Sequence, residues 1–342
     1  MRKLVTIQKI SEVKPIPGAD FIELVVIKGW QCVAKKGEFK QGDSCVYFEV
    51  DSYLPIDERF EFLRKSSYRN NDYMGEGFRV KTVKFRGEIS QGLALPVSLF
   101  PEVSACAVEN DVTDLLKVRK WEMPEQVGSA GISIGDKPYG IPTTDEIRIQ
   151  SMPNFLEHFM GKPYYISTKM DGTSCTVYVK DNKVGVCGRN NEYKEDNESC
   201  SMWAYVNRCG LKESLIALGE DIALQGEFCG AGIQNNRLKL FEPTLYIFDV
   251  IRIGENDRLI KCGLDGILDY CGKLGINSVP IEETGDSFNY SLPELIERAK
   301  GKYASGLDKE GIVVRTHEYG RIGNDKLSFK VINNDFLIKE KD

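Results

Sequence analysis

One short run of this sequence has residue types that could do covalent chemistry: Ile166-Ser167-Thr168-Lys169-Met170-Asp171-Gly172-Thr173-Ser174, a lysine set beside a carboxylate, a glycine and hydroxyls. Lys169 is the candidate nucleophile. A protonated lysine is a poor one: with an ordinary pKa of about 10.4, removing the proton at pH 7 costs roughly 4 to 5 kcal/mol. The site is therefore expected to lower that pKa, by burial or by a nearby cation such as a divalent metal. The same Lys-x-Asp-Gly spacing also fits an ordinary hairpin turn carrying a solvated lysine. Further residues downstream add weight to the chemical reading. Glu227, in Leu224-Gln225-Gly226-Glu227-Phe228, and Glu310, ahead of the apolar Gly311-Ile312-Val313-Val314, put acids at or in apolar strands, where a carboxylate is costly unless paired or metal-bound. The two could bind one metal. Arg189, on the turn Gly188-Arg189-Asn190, could fork onto a phosphate or sit as a surface turn arginine. Tyr246 or Phe248 could stack on a purine or belong to the core. Lys326, Ser328 and Lys330 alternate onto one strand face that suits a triphosphate; a solvated face is the alternative, favoured for Lys326 and less so for Lys330 in its more apolar context.

The elements that must carry these residues are legible as coarse patterns. Tyr164 to Ile166 reads as a strand, and Asp171-Gly172 as a turn back into Cys175 to Val179. Further strands are expected at Lys183 to Cys187, Ile222 to Phe228, Leu245 to Val250, Gly311 to Arg315 and Lys326 to Ile332. Helices are expected at Cys200 to Cys209, Lys212 to Leu218, Leu264 to Leu274 and Leu292 to Ala299, the last with Ser291 as its N-cap. Because strands and helices alternate irregularly, this half is expected to be α+β, with antiparallel sheets flanked by helices. There is no Gly-x-Gly-x-x-Gly and no P-loop, so a nucleotide would be held another way.

Ahead of it, Leu4 to Ile10, Phe21 to Ile27, Gln31 to Ala34, Ser44 to Phe48, Phe78 to Phe85 and Gly92 to Pro96 are short β-rich runs broken by turns. They predict a small antiparallel barrel of the OB type. The run Arg79-Val80-Lys81-Thr82-Val83-Lys84-Phe85-Arg86-Gly87 alternates basic and apolar residues. One strand face carrying Arg79, Lys81, Lys84 and Arg86 is either a phosphate-contacting rim or a solvated face. The expected division is 1–105 for the barrel, 106–142 for a connecting segment containing Gly128, Gly131, Gly135, Pro138, Gly140 and Pro142, and 143–342 for the α+β domain.

With 342 residues, 42% apolar and 28% charged, the chain has the composition of a globular protein large enough for two cores. No apolar run is long enough for a membrane span, and the first residues turn polar too soon for a signal peptide, so an intracellular setting, cytoplasmic or nuclear, is expected. Ten cysteines without a Cys-x-x-Cys pair, and only His158 and His317, argue against a zinc site or a disulfide framework. The net charge of −6 is uneven: residues 1–100 carry 16 Lys and Arg against 13 Asp and Glu, the remainder 29 against 38. An acidic second half suits metal-dependent phosphate chemistry, with a basic first half to meet nucleic acid.

Taken together, Lys169-Met170-Asp171-Gly172, Arg189, Glu227, Phe248-Asp249, Lys309-Glu310-Gly311-Ile312-Val313 and Ser328-Phe329-Lys330 resemble the successive nucleotidyltransferase motifs of ATP-dependent polynucleotide ligases and mRNA-capping enzymes. The N-terminal barrel, with Pro15-Ile16-Pro17-Gly18-Ala19-Asp20 and Asp51-Ser52-Tyr53-Leu54-Pro55, and the run Gly232-Ile233-Gln234-Asn235-Asn236 resemble more narrowly the Deinococcus-type nick-sealing RNA ligases. The resemblance implies a monomeric ATP-dependent RNA ligase that joins 3′-OH and 5′-phosphate ends at nicks in a duplex with an RNA or DNA template, through a lysyl-AMP intermediate. It implies that Lys169 is adenylated, and that Asp171, Gly172, Arg189, Glu227, Phe248, Glu310, Lys326 and Lys330 form the nucleotide site, with Phe248 stacking on adenine. Glu227 and Glu310 would hold Mg2+ or Mn2+, and Arg79, Lys81, Lys84 and Arg86 would contact nucleic acid. Two departures stand out: Thr168 takes the place of a glutamate common in ligases, and the last motif reads Lys-x-Ser-x-Lys. The dozen residues after Lys330 leave no room for the C-terminal OB domain of capping enzymes and most DNA ligases, which sets those activities second. A third alternative is a non-catalytic OB-fold RNA-binding protein.

Overall fold

The computed structural model describes residues 3–122, 131–138, 140–323 and 325–339. The chain forms two compact units, one of residues 1–124 with 150–153 and 337–342, the other of 125–149 and 154–336. Gly128, expected in a connecting segment, lies outside the described residues. Within that stretch, Arg119–Lys120 pairs with Ser52–Leu54 in the first unit, and Ser133–Asp136 pairs with Asn191–Tyr193 in the second. Among the described residues no helix is long and apolar enough to cross a membrane.

The first unit is built of small antiparallel sheets. Ser44–Phe48 lies between Val5–Lys9 and Leu93–Pro96, and Ile22–Ile27 between Glu12–Pro15 and Trp30–Lys35. Inward positions of these strands supply the buried Val5, Ile7, Val46 and Phe48, which pack with Leu54, Phe60, Phe78 and Phe100 from other segments. Phe48 meets Phe60 edge to face at 5.5 Å, a packing that complements the quadrupoles of the two rings.

The run from Phe78 to Phe85, expected as one strand, is two. Gly75–Arg79 pairs with Tyr68–Asn71 and Ser52–Leu54; Val83–Phe85 forms a separate hairpin with Glu88–Ser90. Its two-residue turn, Arg86-Gly87, has positive φ at both positions (46° and 92°), the geometry that matches the twist of hairpin strands. The break changes which basic residues face outward. Arg79 is 8% exposed, its guanidinium 5.0 Å from the Trp121 ring centroid and 3.8 Å from Asp51. Lys81 is half-buried. Lys84 and Arg86 are exposed, with Arg86 donating to the Gly18 carbonyl at 3.0 Å. The four do not line one strand face, because alternation holds only inside a continuous strand.

The second unit has two sheets. The larger runs, in spatial order, Ser133–Asp136, Asn191–Tyr193, Lys183–Cys187, Thr173–Lys180, Ile222–Cys229, Thr244–Ile253 and Leu259–Lys261, with Asn277–Ser278 pairing parallel to Thr244–Ile253. The smaller runs Ile147–Arg148, Ser328–Ile332, Gly311–Thr316, Tyr164–Lys169 and Ile281–Gly285. Helices Ser201–Arg208, Leu211–Leu218 and Leu264–Leu274 cover the larger sheet, burying Trp203, Val206, Leu211, Leu215 and Ile267 with Val177, Leu224 and Val250. Leu292–Arg298 covers the smaller, its start fixed by a Ser291–Glu294 capping box. Behind the smaller sheet, Phe159 meets Phe329 edge to face at 4.8 Å.

The turn expected at Asp171-Gly172 is a crossover and not a hairpin. Tyr164–Lys169 belongs to the smaller sheet and Thr173–Lys180 to the larger, and each pairs with other strands. Only glycine fits at 172: a Cβ there would lie 2.4 Å from the Phe228 carbonyl oxygen.

Candidate active site

The crossover puts Lys169 at the last paired position of its strand, opposite Gly311, so Glu310 comes just before the same ladder. Lys169 Nζ donates to Glu310 Oε2 at 2.7 Å, both side chains about four-fifths buried. From the larger sheet, Ser174 pairs with Glu227, which brings a second acid to the same point. Lys330 reaches it from the next strand, paired with Val313.

These groups form one electrostatic cluster. Burial alone would depress the Lys169 ammonium, but Glu310, Glu227 and Asp171 together outweigh it and hold the pKa above the ordinary lysine value. The expected lowering by burial is therefore corrected: three carboxylates stabilise the ammonium more than enclosure destabilises it. Glu227 shows the converse. Enclosure first, then the like charges of Glu310 and Asp171, push its carboxyl up to about 7 against the pull of Lys169 and Lys330. Lys330 is pushed down to about 8 by burial and by the neighbouring Lys169 charge.

Among the described residues no three His, Cys, Asp or Glu side chains form a ready cage for a metal ion. The donor set nevertheless suits a divalent cation of the Mg2+ type, which binds through one or two carboxylates and completes its shell with water and phosphate oxygens. Glu227 and Glu310, which repel each other in its absence, are the two candidates.

The backbone here is tied by residues the sequence did not signal. Tyr303 Oη donates to the Lys169 carbonyl at 2.7 Å and accepts from the Glu310 amide at 3.0 Å, joining the two strand ends. Arg237, just after Gly232-Ile233-Gln234-Asn235-Asn236, holds Asp171 with Nε 3.4 Å from Oδ2, while its guanidinium lies 4.4 Å from the Phe336 ring centroid. Thr168 donates to Glu282 Oε1 at 2.8 Å, and Lys309 grips both oxygens of that carboxylate.

Of the remaining expected site residues, Arg189 lies on its turn, paired with Asp145 at 2.9 Å and partly exposed. Phe248 is the extra residue of a β-bulge: Gln225 pairs with Asp249 and Gly226 with Ile247. It packs, with Tyr246, against the cluster of Met170, Cys229, Val279 and Tyr303. Lys326 is separated from Lys330. It lies in Asp325–Lys326, ahead of the Ser328–Ile332 strand, and its ammonium donates to the buried Glu146 at 2.8 Å. Glu146 also accepts from Arg315 at 2.7 Å. Burial opposes ionisation there, but the two cations prevail and hold the Glu146 carboxyl down at about 2. Of the two lysines expected on one phosphate face, only Lys330 shares the field of Lys169.

A family model described as RNA ligase matches residues 162–332, and one described as an OB-fold domain matches residues 4–97. Solved structures of an RNA ligase from Naegleria gruberi are similar over nearly the whole chain. A glutamate-to-alanine variant with ATP and Mn is 36% identical, covers 100% of both chains and has a TM-score of 0.90. A lysine-to-alanine variant with ATP and Mn is 34% identical over 99% of each chain, with a TM-score of 0.90. The same enzyme with PPi is 35% identical over 99% of each chain, at 0.88. The comparison with curated proteins gives no match.

Proposed function

The chain belongs to the RNA ligase family, and from that premise we propose that it uses ATP to seal 3′-OH and 5′-phosphate ends at nicks in duplexes, through an adenylate carried on Lys169. The observation that carries this reading is the largely buried Lys169–Glu310 pair at the strand crossover, flanked by Asp171, Glu227 and Lys330.

In the first step the Lys169 amine attacks the α-phosphorus of ATP. A P–N bond forms, the bond to the bridging oxygen breaks, and pyrophosphate leaves. The amine must first shed the proton that it donates to Glu310 Oε2 at 2.7 Å. Lys330 meets negative charge building on the α-phosphate. Glu227 and Glu310 would hold a divalent cation, Mg2+ or Mn2+, whose positive charge would lower the proton affinity of the lysine and shield the phosphates. Phe248 stacks on the adenine, Asp171 and Gly172 hold the crossover against the nucleotide, and Arg189 contacts it from its turn. The AMP then passes to the 5′-phosphate of the nick, and attack by the 3′-OH forms the phosphodiester and releases AMP. On the barrel, Lys84 and Arg86, exposed on their hairpin, contact the substrate backbone.

The test is incubation with α-labelled ATP and Mn2+, denaturing electrophoresis, then transfer to a nicked duplex with RNA or DNA on the 3′-OH side. Label on the chain that disappears in Lys169→Ala, and that moves to a nicked RNA end, is expected. Label from GTP in place of ATP, or label persisting in Lys169→Ala, would overturn the reading.

A further inference from the structure

We infer that Arg315 is a positioning residue for nucleotide recognition: reaching from the smaller sheet to the larger, it holds the Phe248 carbonyl and so fixes where the Phe248 ring meets the base. The inference rests on the reading of Phe248 as the base-stacking residue.

The bulge at Phe248 makes such a tether necessary. An extra residue in one strand loses its place in the ladder, and bulges commonly re-aim a side chain next to a functional site. The Phe248 carbonyl accepts from Arg315 Nη1 at 2.6 Å. The other two prongs of the guanidinium are also engaged, Nε with Ser328 Oγ at 3.0 Å and Nη2 with Glu146 Oε1 at 2.7 Å. Arg315 Cζ stands over the Phe248 ring, 5.3 Å from its centroid. One planar cation thus contacts both the backbone and the ring of Phe248 while it is anchored in the opposite sheet. Only arginine has a rigid fork that can serve three partners at fixed angles.

A buried ionic group is poor evidence of stabilisation, since apolar side chains of similar volume often do as well, and its best-attested use is to fix one arrangement over others. Glu146 anchors both Arg315 and Lys326 through the same oxygen. Register supports the same role. On one face of the smaller sheet Tyr165, Arg315 and Ser328 form one row, Ser167, Val313 and Lys330 the next on that face, and Lys169 and Gly311 the one after. The tether therefore sits two rows behind the nucleophile, at the depth where a base would enter when the α-phosphate is at Lys169. A small space lined by Tyr165, Phe248, Asp249, Arg315, Lys326 and Ser328 adjoins it.

The experiment is single-turnover adenylylation of the full chain over a range of ATP concentrations, for Phe248→Ala, Arg315→Lys and the double variant, with tripolyphosphate as a competitor lacking a base. Phe248→Ala is expected to raise the apparent KM for ATP by roughly 5- to 150-fold, the range that follows loss of one base–aromatic stack. Arg315→Lys, which keeps the charge and loses the fork, should raise KM by a comparable factor with the limiting rate within about twofold of wild type, and tripolyphosphate inhibition unchanged. The double variant should be no worse than Phe248→Ala alone, because one residue acts through the other. If Phe248→Ala leaves KM unchanged, the stacking reading itself is wrong. If Phe248→Ala weakens ATP while Arg315→Lys does not, or if the two effects multiply, the stacking reading stands and the tether is refuted. Should Arg315→Lys not fold, Ser328→Ala removes a single prong, with a smaller rise in KM expected and an unchanged KM counting against the inference.

Discussion

Replacing Tyr303 with phenylalanine removes one oxygen and, with it, both hydrogen bonds that join the Lys169 strand to the strand that follows Glu310. The ring stays, so no cavity of consequence forms. Each bond contributes a net ~1 kcal/mol, and more if the Lys169 carbonyl or the Glu310 amide is left without a partner. The expected loss is about 2 kcal/mol, within a range of roughly 1 to 3, or about 4 to 8 °C in the melting of a unit of this size. The chemical effect should be larger than stability alone suggests. Lys169 and Glu310 are the residues whose backbones are released, and a misplacement of about 1 Å at a reacting group can cost around a hundredfold in rate. The assay pairs thermal melting with single-turnover adenylylation. Tyr290→Phe serves as the control, since Tyr290 donates to Glu283 at 2.7 Å and makes no contact with the lysine strand's end through that bond. Tyr303→Phe should lower both the melting temperature and the adenylylation rate, and Tyr290→Phe the melting temperature alone. A Tyr303→Phe protein with unchanged melting and an unchanged rate would show that the two strand ends hold their places without the hydroxyl, and the reasoning would fail.

Two further outcomes follow from the charged groups. Glu146→Gln leaves the Arg315 and Lys326 cations buried without their counter-charge and should cost on the order of 3 kcal/mol at neutral pH. Because the folded-state pKa of Glu146 is depressed to about 2, its contribution is fully present above the ordinary carboxylate value near 4.5 and is lost as pH falls through 2. The stability gap between wild type and Glu146→Gln in urea titrations should accordingly narrow from pH 5 downward; a gap that does not change with pH would contradict the ion triad. Mn2+ binding to the folded chain should raise the wild-type melting temperature, the stabilisation growing with the logarithm of Mn2+ concentration above the dissociation constant and reaching ~2.7 kcal/mol at a hundred times that constant, and Glu227→Gln should abolish most of that rise. An equal rise in both proteins would remove Glu227 from the metal site.

Several features of the site were readable in the sequence because their local pattern is strong. Lys169, Glu227 and Glu310 each interrupt or end an apolar strand, and a charge in that setting is expensive enough to be informative. What escaped reading depended on pairing between distant segments. Asp171-Gly172 has the composition of a hairpin turn, and nothing local says that the strands it joins lie in different sheets. The alternation of Arg79, Lys81, Lys84 and Arg86 presumes an unbroken strand, and the break between Arg79 and Val83 turned Arg79 onto Trp121. Lys326 and Lys330 look equivalent at a spacing of four, yet a change of strand at Leu327 sends the first to Glu146 and leaves the second near Lys169. Tyr303, Arg237 and Glu146 carry no motif at all: each matters through a partner more than 60 positions away.

With the lysine and Glu310 in one sheet and Glu227 in the other, Met170, Cys229, Val279 and Tyr303 act as a shim between the halves of the reaction centre. Changing the thickness of that shim by a methyl group alters the separation of Glu227 from Glu310, which a divalent cation held by both would have to span, without altering either carboxylate. Substitutions among these four apolar or bulky side chains should therefore behave as tuning screws, shifting the preference between a smaller and a larger divalent ion.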